Sequence, residues 1–188
     1  GDTRLSKDSG ETVSDTYSKV FKVNQNVLVG FTGSGNAVDV LNKNGIFDKA
    51  DCPSAEDYLE FLWLLLGNRV VNEPNHCNIL VLGKSKMNYG FGGNFHMPDD
   101  DVQNQLHLTD HRNVWAPIMT PPNVDYEYYQ DLVNSKVQFI IAEQIISPVF
   151  SRGMAIKKIK EIHREIILEI SKKDKSVNSN IEQHVIKW

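Results

Sequence analysis

Apolar and polar positions alternate closely in the first quarter of the chain and settle into helical periods later. Between Lys19 and Val29, Val20, Phe21 and Val23 flank Lys22, and Val27, Leu28 and Val29 follow Asn24-Gln25-Asn26. The pattern predicts two short strands joined by a polar turn. The second strand runs into Gly30-Phe31-Thr32-Gly33-Ser34-Gly35, and Ala37, Val38 and Leu41 then take helical spacing. A helix over residues 36–50 is expected, stopped near Asn44-Gly45. Strand, glycine-rich bend and helix together bring backbone N–H groups into the open at a helix N-terminus.

Ser54 and Asp57 form a capping pattern ahead of a helix over 55–71. There Tyr58, Leu59, Leu62, Trp63, Leu65, Leu66 and Val70 cover much of the circumference, which predicts a helix sandwiched between neighbours. Cys77 to Leu82 reads as a buried strand, and Met87 to Phe95 as its return, weakened by Gly90, Gly92 and Gly93. Residues 96–125 show no periodicity and carry Pro98, Pro117, Pro121 and Pro122, so a functional or mobile loop is expected. Helices are predicted over 126–148 (Tyr129, Leu132, Val133, Val137, Ile140, Ile141 and Ile145 inward) and 153–172 (Ile156, Ile159, Ile162, Ile166, Ile167 and Ile170 inward). Ile181, Val185 and Ile186 predict a closing strand over 180–187. Residues 1–16 are polar, with turn chemistry at Lys7-Asp8-Ser9-Gly10.

At 188 residues and 40% hydrophobic, the chain suits one domain with a sizeable core. Its net charge of −4 gives no basic footprint, which argues against a nucleic-acid partner. Its longest apolar run, Phe61 to Leu66, is far too short to span a bilayer. Cys52 and Cys77 sit at no metal-ligand spacing, and free buried thiols in a reducing, cytoplasmic setting are the expectation.

Gly1-Asp2-Thr3-Arg4, Val13-Ser14-Asp15, Ser18-Lys19-Val20 and Val29-Gly30-Phe31-Thr32-Gly33, in that order, resemble the proteasome β-subunit and bacterial HslV group of N-terminal nucleophile hydrolases. The match is clear over residues 1–41 and poor between 90 and 125. The resemblance implies an α+β fold, a four-layer αββα sandwich forming one domain over 1–188, with 96–125 as a loop insertion. The family's first strand, whose first residue is the nucleophile, has no counterpart within these residues. A Thr, Ser or Cys ahead of Gly1 is therefore expected.

The resemblance assigns Asp2 and Lys19 as partners flanking that nucleophile. The α-amine would act as base, and the lysine would lower the barrier to proton removal. It places the oxyanion donor at the Thr32 N–H in the turn ending at Gly33, and Gly30 at the base of the specificity pocket. Asp174 and Ser176 fall near the family's aspartate and serine that support the amine, one residue short of the family spacing. Asp2 and Lys19 could equally form a surface pair worth little. The implied function is threonine-type peptide or amide hydrolysis without a cofactor, on peptide or protein substrates, by a homo-oligomeric ring with no membrane partner. The alternative is a non-catalytic relative kept for assembly or binding.

Two other constellations point elsewhere. His96, Asp99, His107, Asp110 and His111 could bind a metal, since a helical turn would put His107 and His111 on one face; solvated loop histidines explain them as well. Thr32-Gly33-Ser34-Gly35 could cradle phosphate, but it lacks the lysine and following Ser/Thr of a P-loop, and a tight strand-to-helix turn accounts for it. Trp63 and the Tyr126-Tyr128-Tyr129 cluster read as core or subunit interface.

Overall fold

A computed structural model describes residues 1–6, 11–33, 35–48, 51–67, 77–87, 90–97, 103–108, 123–146 and 151–186. It is mixed α+β, with antiparallel strand pairing throughout. The chain divides into two compact units, Gly1–Ser18 with Thr120–Gln183, and Lys19–Met119 with His184–Trp188.

The Lys19–Met119 unit is built on a five-stranded sheet in the order β3 (Val20–Lys22), β4 (Val27–Gly33), β5 (Cys77–Lys84), β6 (Gly90–Met97) and β7 (Gln103–Leu108). Val29 lies opposite both Phe21 and Val81, and Phe31 opposite Ile79. Because side chains alternate across a strand, Val27, Val29, Phe31, Ile79 and Val81 share one face, and all five are buried. Gly83 is on that face too, and a Cβ there would lie 3.1 Å from Ala55 Cβ, so this face meets the start of α2 (Ala55–Gly67). Leu28 and Leu82, on the opposite face, are half-buried.

α1 (Gly35–Lys43) ends where its sequence says it should. Gly45 takes φ +66°, its N–H donates to Asn42 O, and Ile46 N–H donates to Leu41 O. This pair of hydrogen bonds around a left-handed glycine satisfies carbonyls the helix end leaves open. Ile46 is then fully buried, Tyr58 Oη donates to its carbonyl at 3.0 Å, and Phe47 stacks on Phe21 with a 4.4 Å centroid separation. The α2 cap also forms: Ser54 Oγ accepts from Asp57 N–H at 3.1 Å and donates to Asp57 Oδ2 at 2.6 Å. Ala55, Tyr58, Leu59 and Leu62 are buried while Leu64 is 50% exposed. α2 is thus one-sided where it is described, not sandwiched; Trp63, Leu66 and Val70 lie outside the residues whose side chains are described.

The other unit holds a two-stranded hairpin, β1 (Leu5–Ser6) with β2 (Thr12–Ser14), and the helices α3 (Tyr126–Ile146) and α4 (Arg152–Lys173). Lys136 Nζ pairs with Glu165 at 2.8 Å, and Lys173 Nζ sits 3.7 Å over the Tyr128 ring, which fixes an antiparallel α3–α4 pairing. Tyr129 and Val133 on α3 are buried, as are Ile162, Ile166 and Ile170 on α4. Ile159, expected inward, is 51% exposed.

Two further expectations change. The span 96–125 is not without structure, because β7 lies within it. The closing strand reduces to one bridge, Asp2 with Ile181, with Gly1 and Glu182 exchanging both backbone bonds at 2.9 Å beside it. Past that bridge, Asn178 Oδ1 accepts from both Thr3 N–H and Asn180 N–H at 3.2 Å. One side-chain carbonyl thus takes the next amide in line on each segment, and no ladder continues.

Candidate functional site

Asp174 is the centre of the site in the Gly1–Ser18 and Thr120–Gln183 unit. It caps α4, its N–H donating to Ile170 O at 2.8 Å, and it is 2% exposed. A carboxylate at a helix C-terminus meets the unfavourable end of the dipole and has lost its water, so it needs local donors. Ser176 N–H donates to Oδ1 at 2.8 Å and Asn123 Nδ2 at 3.2 Å. Burial pushes the carboxyl upward, but these bonds outweigh it and hold Asp174 below the usual aspartate range. It is therefore ionised at neutral pH. Its Oδ2 is buried and has no hydrogen-bond partner among the described residues.

Asp2 lies in the same unit. Its Oδ1 accepts from Arg4 N–H at 2.9 Å, and its backbone bridges to Ile181. Burial, with the Asp2 charge as a smaller cause, raises the Tyr129 hydroxyl above its ordinary value. Ser176 serves Asp174 through its backbone N–H.

Sequence reasoning missed Asn178. Its Nδ2 donates to Asp15 O at 3.1 Å and Asp15 Oδ1 at 3.0 Å, and lies 3.3 Å from Thr3 Oγ1. Arg4 Nε reaches the same Asp15 oxygen at 2.6 Å, and Arg4 Nη1 donates to Lys175 O at 2.8 Å. The Arg4 and Asn178 hydrogen bonds hold the Asp15 carboxyl below its usual range. This cluster joins the turn after α4 to the segment carrying Asp2. In the sequence, Asn178 is one of several turn-forming residues in Ser176-Val177-Asn178-Ser179-Asn180, and nothing in its spacing points to residues 3 or 15.

Lys19, Gly30, Thr32 and Gly33 belong to the other unit. Phe31 N–H donates to Lys19 O at 2.8 Å, and Gly30 pairs with Val20, so the sheet sets the Lys19 backbone beside the Gly30–Thr32 run. Thr32 and Gly33 end β4 opposite Asn78 and Cys77. Among the described residues, a Cβ at Gly30 would meet Leu80 Cβ and Lys19 O, both at 3.9 Å, an ordinary contact distance.

His107 lies on β7 opposite Gly92, and His96 on β6 opposite Gln103, so the helical spacing invoked for His107 and His111 does not apply. Asp99, Asp110 and His111 fall outside the described residues. Among those described, no group of three His, Cys, Asp or Glu residues is placed to hold a metal. Gly33 closes β4 and Gly35 opens α1, the tight strand-to-helix turn expected; Ser34 is outside the described residues. Cys52 is half-buried and, among the described residues, in no disulfide. No helix, where described, is long and apolar enough to cross a membrane.

No family model and no curated protein matches this chain. Among solved structures, the crystal structure of eukaryotic HslV from Trypanosoma brucei is similar at 12% identity, over 96% of this chain and 87% of that one, with a TM-score of 0.48. This likeness is too loose to place the chain in a family.

Proposed function

We propose that this protein is a proteasome-like N-terminal nucleophile hydrolase that cleaves peptide or amide bonds, with Asp2, Lys19, Asp174 and Ser176 supporting catalysis and Gly30, Thr32 and Gly33 receiving the substrate. The observation that carries the reading is Asp174: a buried, ionised carboxylate with one oxygen held by two donors and the other without a partner among the described residues. Leaving such an oxygen unmatched is costly, and an ammonium group is the ligand that suits it. Gly30 adds support. Packing does not demand glycine there, so the missing side chain leaves room for that of a substrate.

In this reading, a Thr, Ser or Cys ahead of Gly1 attacks the carbonyl and its own α-amine takes the proton. Lys19 stabilises the deprotonated nucleophile. The Thr32 N–H donates to the oxyanion that forms on the carbonyl oxygen, the α-ammonium returns its proton to the leaving amine as the C–N bond breaks, and water then hydrolyses the acyl intermediate and frees the nucleophile. The fold is the four-layer αββα sandwich of one domain, and the protein works as a cytoplasmic homo-oligomeric ring.

N-terminal sequencing of the native protein, followed by hydrolysis of a fluorogenic peptide amide, tests this. A Thr, Ser or Cys terminus is expected, and Lys19→Ala should lower kcat by about 100-fold or more. A native terminus of any other kind, or a Lys19→Ala enzyme of unchanged kcat, rejects hydrolysis and leaves a non-catalytic assembly subunit.

A further inference from the structure

His163 on α4 takes no part in the site described above, yet it is tied to the segment that bridges Asp2. Gln183 Nε2 lies 2.8 Å from Lys160 O and 2.8 Å from His163 Nδ1. A backbone carbonyl only accepts, so the Gln183 atom facing it is the amide nitrogen. That nitrogen has two hydrogens and no acceptor capacity. One goes to Lys160 O, the other to His163 Nδ1, and the imidazole is therefore neutral, with its proton on Nε2. A flip of the Gln183 amide would point its oxygen at the Lys160 carbonyl oxygen, so the contact cannot be rescued by rotation.

We propose that Gln183 and His163 form an acid-sensitive latch: it pins the 181–183 segment to α4 only while His163 is neutral, and a proton on Nδ1 releases the segment and with it the backbone bridge to Asp2. The proton comes from solvent and ends on Nδ1, and no covalent bond changes. What is freed is the Ile181–Asp2 bridge, the paired bonds between Gly1 and Glu182 and the 2.6 Å bond from Ser18 Oγ to Glu182 Oε2.

The surrounding charges do not favour protonation in the closed state. Glu182, beside Gln183, has its carboxylate engaged by Ser18. Lys160 and Arg164 flank the position on α4, and Glu165, two residues on, is occupied by Lys136 from α3. Burial pushes the His163 imidazole down, to about 4.

A closed form that excludes a proton which the open form binds opens more readily as pH falls. The opening equilibrium is expected to rise by about tenfold per pH unit between the ordinary histidine value and the lowered one. The device does not depend on the hydrolase reading, because its test reads no activity.

Hydrogen exchange of the native chain, corrected for intrinsic rates, should show protection at the Glu182 amide falling by about tenfold per pH unit below about pH 6.5, while the centre of α4 stays protected. The ¹⁵N spectrum of His163 at pH 7 should show the Nε2–H tautomer. Gln183→Met, which keeps the side-chain length without the donor, should show low Glu182 protection at every pH and no step. A protonated Nδ1 at pH 7 in the native chain, or Glu182 protection independent of pH, overturns the latch.

Discussion

The five-stranded sheet and the turn that follows α4 are held together by different kinds of residue. In the sheet, Val27, Val29, Phe31, Ile79 and Val81 make one apolar face through strand register, and it is buried without a single side-chain hydrogen bond among them. In the turn, Asp174 and Asn178 are buried polar groups, and the Ser176, Asn180 and Thr3 amides donate to their side-chain oxygens. Each large side chain in the sheet contributes about 1.5–3 kcal/mol by leaving water. Each bond in the turn nets about 1 kcal/mol, and a lost partner costs more because the group left behind stays buried. The sheet should therefore fail by overpacking, and the turn by loss of a single donor or acceptor or by a proton.

The strongest way to break the sheet is at Gly83. A Cβ there would come 2.0 Å from Asn26 O, which is backbone, and 3.1 Å from Ala55 Cβ. Gly83→Val should cost about 4 kcal/mol or more, measured as a fall in the urea midpoint. Gly30→Ala, with nothing among the described residues closer than 3.9 Å, should change stability by less than about 1 kcal/mol. Equal costs at the two positions would mean that β4 and β5 do not pack as described.

The turn should be broken by acid. His163 is neutral in the fold and lowered from 6.5 to about 4. Between those values the unfolded chain binds the proton and the folded chain does not. Its contribution is therefore complete above the ordinary histidine value and is lost as pH falls to the lowered one, on the order of 3 kcal/mol in total. Asp174, also lowered, adds a second loss below the usual aspartate range. Stability curves in urea from pH 7 to 3 should show the first fall, and His163→Gln should flatten it. A wild-type curve that is level between pH 6.5 and 4 contradicts the neutral, half-buried imidazole.

Asn178→Ala comes next in size. It strands the Thr3 and Asn180 amides, at about 2 kcal/mol. Asn178→Asp is the sharper probe, because it places a carboxylate against the Asp15 oxygen that Asn178 now serves as donor. Its cost should shrink as the pH drops through the carboxylate range. A pH-independent cost would mean that Asn178 acts by shape alone.

These two regions also show what the sequence could reveal. The strands at 20–22, 27–33 and 77–84, and the helices α3 and α4, follow from apolar periodicity, a local property. β7 escaped notice because Gln103, Asn104 and Gln105 mask its alternation; only Leu106 and Leu108 mark the apolar side, opposite Gly93 and Phe91. β1 and β2 are too short and polar to stand out, and they are held by Arg4–Asp15 and by Asn178 from far along the chain. At the candidate site, Asp2, Lys19, Gly30, Thr32, Gly33, Asp174 and Ser176 could be named through a family resemblance. The partners of Asp174 and the reach of Asn178 could not, because a hydrogen bond between residues 3 and 178 leaves no trace in the order of residues.

The smallest expected effect lies where polar chemistry was legible. Ser54 and Asp57 are three residues apart, so their reciprocal bonds at the start of α2 can be read from the sequence alone. Lys86 Nζ also reaches Asp57, at 2.7 Å, and the Asp57 carboxyl is lowered by Lys86 first and Ser54 second. The ion pair is the larger influence on the charge, but Lys86 is exposed, where such pairs add little to stability. The cap satisfies a backbone donor that the helix cannot. Ser54→Ala should therefore cost about 1 kcal/mol and Lys86→Ala less, with salt weakening only the second. If Lys86→Ala proves the costlier change, the start of α2 is held by the ion pair with Asp57 and not by its cap.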